Sequence, residues 1–75
     1  MLTQELVELI SDDFQSTFLL SSPTILSNMM GPSDFEEVTR IVKKHCGEKI
    51  GIRFVKHDTF QTPYDIYSVI LTEEK

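Results

Sequence analysis

Ser22-Pro23-Thr24-Ile25-Leu26-Ser27-Asn28-Met29-Met30-Gly31-Pro32 is the stretch on which the fold turns. Serine followed by proline suits the entry to a helix. Serine can cap it, and proline fits the first helical position, where its missing N–H would have had no partner. Ile25, Leu26, Met29 and Met30 then recur at helical intervals. Gly31 stands where a left-handed residue ends a helix, and Pro32 prevents continuation. The pattern predicts a short helix between Pro23 and Gly31.

Downstream, Ser33-Asp34-Phe35-Glu36 fits a capping box, in which serine and glutamate satisfy each other's exposed backbone donors. It opens a helix from Asp34 to Cys46 with Phe35, Val38, Ile41, Val42 and Cys46 as its apolar stripe. Lys43, Lys44 and His45 fall in the last turn, where positive charge suits the helix dipole, and Gly47 closes it. Upstream, Leu2, Leu6, Leu9, Ile10 and Phe14 predict a helix over residues 3–14, with Thr3 as cap. Residues 16–20 fit either an extension of that helix or a short strand.

Beyond Gly47 the period changes from helix to strand. Residues 50–57 alternate as a strand, Asp58 to Pro63 carry loop chemistry, and residues 64–72 alternate again. In the last segment Tyr64, Ile66, Ser68 and Ile70 face one way, and Asp65, Tyr67, Val69 and Leu71 the other. Both faces are partly apolar, which points to cover on both sides. The connection is too short for a parallel crossover, so the two strands form an antiparallel hairpin.

The expected fold class is therefore α+β: three helices followed by an antiparallel β-hairpin, with a short extra strand as one reading of residues 16–20. That order resembles a winged helix-turn-helix domain. The segment Thr24 to Gly31, with Ser27 four places before the glycine, is similar to the second helix of that family. The helix from Asp34 to Cys46 corresponds to its third, and the hairpin 50–72 to its wing. The resemblance covers most of the chain and is one of architecture. It implies a nucleic-acid-binding or protein-docking module.

Seventy-five residues, 40% of them hydrophobic and 25% charged, make one small domain over 1–75 of ordinary globular composition. A domain of this size buries roughly 60% of its unfolded surface. One cysteine excludes an internal disulfide, and apolar runs of three or four residues are too short for a membrane span or a signal peptide. A reducing, cytoplasmic setting is the expectation.

Charge is divided along the chain. Residues 1–37 hold seven acids, among them Glu5, Glu8, Asp12 and Asp13, and no base. Residues 38–56 hold Arg40, Lys43, Lys44, Lys49, Arg53 and Lys56 against Glu48 alone. Residues 57–75 return to net negative, and the whole chain carries −5. The two candidate binding surfaces are thus a basic patch formed by those six cations and an acidic face formed by Glu5, Glu8, Asp12 and Asp13. Both depend on these charges gathering on the folded surface, since linear order does not fix surface order.

Catalytic and metal readings fare poorly. His45 and Cys46 are helix neighbours whose side chains diverge by about 100°, which excludes a nucleophile–base pair; Cys46 reads as a core residue. His57 and Asp58 read as turn residues at a strand end. One cysteine and two histidines show no zinc spacing, and no glycine-rich phosphate loop is present. Tyr64, Tyr67 and Phe60 read as hairpin packing. No cofactor is expected.

The favoured function is a small non-catalytic regulatory or adaptor module that binds a protein partner through its third helix and hairpin. The alternative is a winged-helix nucleic-acid binder of the transcriptional-regulator type using the six cations, but Asp34, Glu36 and Glu37 occupy the turn that would face the bases. Self-association through opposite charges is a further option, as is an acidic face that imitates nucleic acid. No membrane partner is expected.

Overall fold

The computed structural model describes residues 2–57 and 65–72. The chain runs through helix α1 (Gln4–Phe14), strands β1 (Leu19–Ser22) and β2 (Ile25–Met29), a 3-10 turn (Pro32–Asp34), helix α2 (Phe35–Cys46), and strands β3 (Gly51–Lys56) and β4 (Ile66–Thr72). The four strands form one sheet in the order β1-β2-β4-β3, every neighbouring pair antiparallel. Two helices and a four-stranded sheet replace the expected three helices and a hairpin, so the winged-helix-like architecture is corrected. The expected loop at 58–63, with Phe60, lies outside the described residues, as does Tyr64 of the expected last strand.

The correction rests on the stretch that opened the reading. Ser22, Pro23 and Thr24 turn a hairpin, where the Ser22 hydroxyl accepts from the Thr24 N–H at 3.3 Å. Ile25 to Met29 then pair with β1 on one side and with Ile66 to Ile70 on the other. Apolar residues at 25, 26, 29 and 30 suit a helix, but they equally supply both faces of a strand. Leu26 and Met30 turn toward the helices and are buried, while Ile25 and Met29 turn away. Ser27 and Asn28 compete poorly for a helix interior. Partners about forty residues along the chain supply the backbone hydrogen bonds that settle the strand. The strand reading of residues 16–20 holds only in part: β1 begins at Leu19 and runs to Ser22, with a bulge between Leu20 and Ser22.

Both helices lie on one side of the sheet. Thr3 caps α1 by accepting from the Leu6 N–H at 3.2 Å, and the helix ends on Gln15, a non-glycine residue at φ 60°. The Ser11 hydroxyl donates to the Val7 carbonyl at 2.7 Å and accepts from the Phe18 N–H at 2.9 Å, which ties the chain leaving α1 back onto it. The entry to α2 departs from the expected capping box: the Asp34 carboxylate accepts from the Gly31 N–H at 3.0 Å, and Ser33 makes no cap. Gly47, at φ 111°, ends α2 in a conformation that other residues avoid.

Val7 and Ile10 from α1, Val38 and Val42 from α2, and Leu26 and Val69 from the sheet fill the centre of the core. Phe35 stacks on Phe54 with ring centroids 4.1 Å apart and meets Tyr67 edge-on at 4.8 Å, pinning α2 over β3 and β4. Asn28 is the polar member of this face. Its amide donates to the Ser16 hydroxyl at 3.1 Å, and its oxygen accepts from the Met29 N–H at 2.7 Å. Among the described residues no helix is long and apolar enough to cross a membrane.

Candidate functional site

The six cations do not all lie together. Arg40, Lys43 and Lys44 border a shallow depression of about 740 Å³ at the end of α2, with Glu48 beside them. Lys43 and Lys49 share the neighbouring one, of about 390 Å³, again with Glu48. Arg53 projects from the opposite side of the sheet, and Lys56 lies at the far end of β3. Three of the six sit beside an anion. Arg40 stands 4.0 Å from Glu36, Lys44 3.1 Å from Asp13, and Lys56 3.5 Å from Asp65.

Nor does the acidic set stand apart. Glu5, Glu8 and Asp12 are exposed along α1. Asp13 instead reaches across to α2, accepting from His45 Nε2 at 2.8 Å and Lys44 Nζ at 3.1 Å. The hydrogen bond from His45, and then that from Lys44, hold its carboxyl below the ordinary 3.8. The sequence offered a basic and an acidic surface; folding joins them at this residue and shortens both. Cys46 is half-buried and its thiol is pushed upward by that burial, which suppresses the nucleophilic thiolate. It lines a cleft of about 350 Å³ with Leu2, Leu6, Lys49 and Ile50.

The feature with the most unfilled contact capacity is the face of the sheet turned away from the helices. Strand register places Leu19 and Ser21 of β1, Ile25, Ser27 and Met29 of β2, Ile66, Ser68 and Ile70 of β4, and Arg53 and Val55 of β3 on it. Leu19 is 68% exposed, Met29 57% and Val55 38%. Arg53 is the only charged strand residue on this face among the described residues; every described carboxylate lies on the helices, the turns or the helix side of the sheet.

A line of hydroxyls crosses the middle of this face. Ser21 Oγ lies 3.3 Å from Ser27 Oγ, which lies 3.4 Å from Ser68 Oγ, and His57 Nε2 hydrogen-bonds Ser68 in turn. On either side of the line sit apolar pairs, Ile25 with Ile70 and Met29 with Ile66. The His57–Ser68 contact has the form of a base beside a nucleophile. Ser68 is only 7% exposed, however, and its oxygen is engaged from both sides, so the pair is built into the sheet rather than presented to a substrate. Among the described residues no group of three metal-ligating side chains occurs.

Sequence reasoning grouped Ile66, Ser68 and Ile70 on one side of their strand but missed the surface they belong to. The signal is present in the two apolar faces of residues 64–72, but the local periodicity of residues 25–30 is that of a helix and hides the partner strand β2. Compared with known protein families, curated proteins and solved structures, the chain matches none.

Proposed function

We propose that the chain is a small, non-catalytic regulatory or adaptor module that docks on protein through the open face of its sheet. The observation that carries this reading is the exposure of Leu19, Met29 and Val55 on one face that bears a single described charge. A charged residue elsewhere on the molecule is easily hydrated, whereas exposed apolar side chains gathered on one face favour a partner that covers them. Interface centres are depleted in charge and enriched in Met. The hairpin of the original expectation contributes β3 and β4 to this surface; α2 lies behind it. The setting we propose is a reducing, cytoplasm-like compartment, in keeping with a lone half-buried cysteine.

The nucleic-acid reading retains one observation, the four cations around the α2–β3 turn. Glu48 sits among them, and Lys44 and Arg40 already have anionic neighbours, so few phosphates could be neutralised there. The separating experiment is affinity capture from the cells that make the protein. Wild type, a Leu19→Lys/Met29→Lys variant and a Lys43→Glu/Lys44→Glu variant serve as baits. A captured protein lost only from the first variant supports docking by the sheet face. Recovery of nucleic acid alone, lost from the second variant, overturns it.

A further inference from the structure

We infer that the partner taken by the open sheet face is a second copy of this chain, the two sheets packing face to face about a two-fold axis. The inference rests on the docking reading above and adds the identity of the occupant. Three observations on that face select it.

First, the face is ready to be dried. Ser21, Ser27 and Ser68 hydrogen-bond in sequence across β1, β2 and β4, and His57, just past the end of β3, bonds Ser68. A partner that covers them therefore leaves few polar groups without a mate, which is the usual cost of burying a polar seam. It also need not supply matching polar groups of its own.

Second, the face matches itself. The hydroxyl line runs through the two central strands, with Ile25 and Ile70 on one side and Met29 and Ile66 on the other. A two-fold axis along the line lays one apolar band over the other band of the second copy. An axis along the strands lays each band over its own equivalent. In both cases apolar meets apolar and hydroxyl meets hydroxyl. Arg53, on an edge strand, keeps its guanidinium at the rim.

Third, charge and area permit it. Each copy carries −5, but the described carboxylates lie away from this face, so in the pair two sheets would separate them. That distance exceeds the screening length of about 8 Å at physiological salt. Four strands about 4.8 Å apart, with a rise of about 3.3 Å per residue, give a flat footprint of about 400 Å² per copy. The corrugated side-chain surface above it is larger, which brings the pair toward the roughly 1,200 Å² at which stable interfaces begin. Sheets packed in this way lie about 10 Å apart with strands near −30°, and the helices form the two outer layers.

The test is sedimentation equilibrium of the whole chain across a concentration series, with isotope-filtered NMR on a mixed labelled and unlabelled sample. The expected result is a species of twice 8.6 kDa, with intermolecular contacts between the Met29 methyl and the Ile25, Ile66 or Ile70 methyls. Leu19→Lys/Met29→Lys should raise the dissociation constant by at least about 100-fold, while Lys43→Glu/Lys44→Glu should not. Leu19 and Met29 are exposed, and circular dichroism checks that the variant stays folded. A wild type that remains 8.6 kDa at about 1 mM overturns the inference, as does a dimer indifferent to the face variant. A monomeric wild type that still captures a different protein through this face overturns the second copy alone and leaves the docking reading standing.

Discussion

Leu26 and Met29 would both be core residues if residues 24–30 formed a helix, and only one of them is core in the sheet. Leu26 is 0% exposed and faces Val69 across β2 and β4, whereas Met29 is 57% exposed on the other face. Truncating a leucine so enclosed removes its transfer free energy and leaves a cavity, which together cost about 2–5 kcal/mol. A chain of 75 residues has a total stability of about 4–11 kcal/mol. Leu26→Ala should therefore remove a large share of it and lower the urea midpoint by about 3 M, at a slope near 1 kcal/mol per M. Met29→Ser should cost less than about 1 kcal/mol, because more than half of that side chain is already in water. Both are measured by urea titration with far-ultraviolet circular dichroism in a Leu19→Lys background, so that association through the open face does not enter the comparison. Equal losses at the two positions would refute the strand assignment, since they would place both side chains in one interior.

Two further outcomes test the local chemistry. Gln15 holds φ 60° at the end of α1; Gln15→Gly relieves that strain and should raise stability by about 0.5–1 kcal/mol in the same titration. Asp13 has its carboxyl held below 3.8 by His45 and then Lys44, so its contribution is present above that pH and disappears as the pH falls through the lower folded value. Urea midpoints between pH 5 and pH 2 should drop less steeply for Asp13→Asn than for wild type, and an unchanged slope would show that the contact contributes nothing.

Legibility in the sequence followed the range of the interactions. The helix at 35–46 was readable because its stripe, its basic last turn and Gly47 are local signals, and Val38, Ile41 and Val42 are buried as the spacing requires. For α1 the extent was readable and so was most of the face: Leu2 and Ile10 are buried and Phe14 packs against the core. Val7, omitted from the expected stripe, is buried, while Leu9 is 49% exposed. Six apolar residues in thirteen positions admit two nearby stripes, and only packing against α2 selects one. The stretch 25–30 was misread because its evidence lies in β4, about forty residues away. Ile25 meets Ile70 and Met29 meets Ile66, pairings with no trace in the local periodicity. The pairing of charges on the surface was not legible for the same reason: Lys44 and Asp13 are thirty-one residues apart and 3.1 Å distant.

These pairings bear on the molecule's field. Exposed ion pairs contribute about 0–1 kcal/mol because water and salt screen both partners, so Arg40 with Glu36 and Lys56 with Asp65 are weak restraints on the fold. Their proximity still lowers the field that a nucleic acid or acidic protein would meet, because each cation arrives with its own counter-charge. An apolar face has no such internal compensation. Leu19, Met29 and Val55 are at odds with water until something covers them, while the hydroxyls between them are already matched to one another. In the docking role proposed above, recognition would accordingly use surface left over after the sheet has formed rather than the sign of the charged segments. The serines at 21, 27 and 68, which carry no signal when read singly, make that surface coverable.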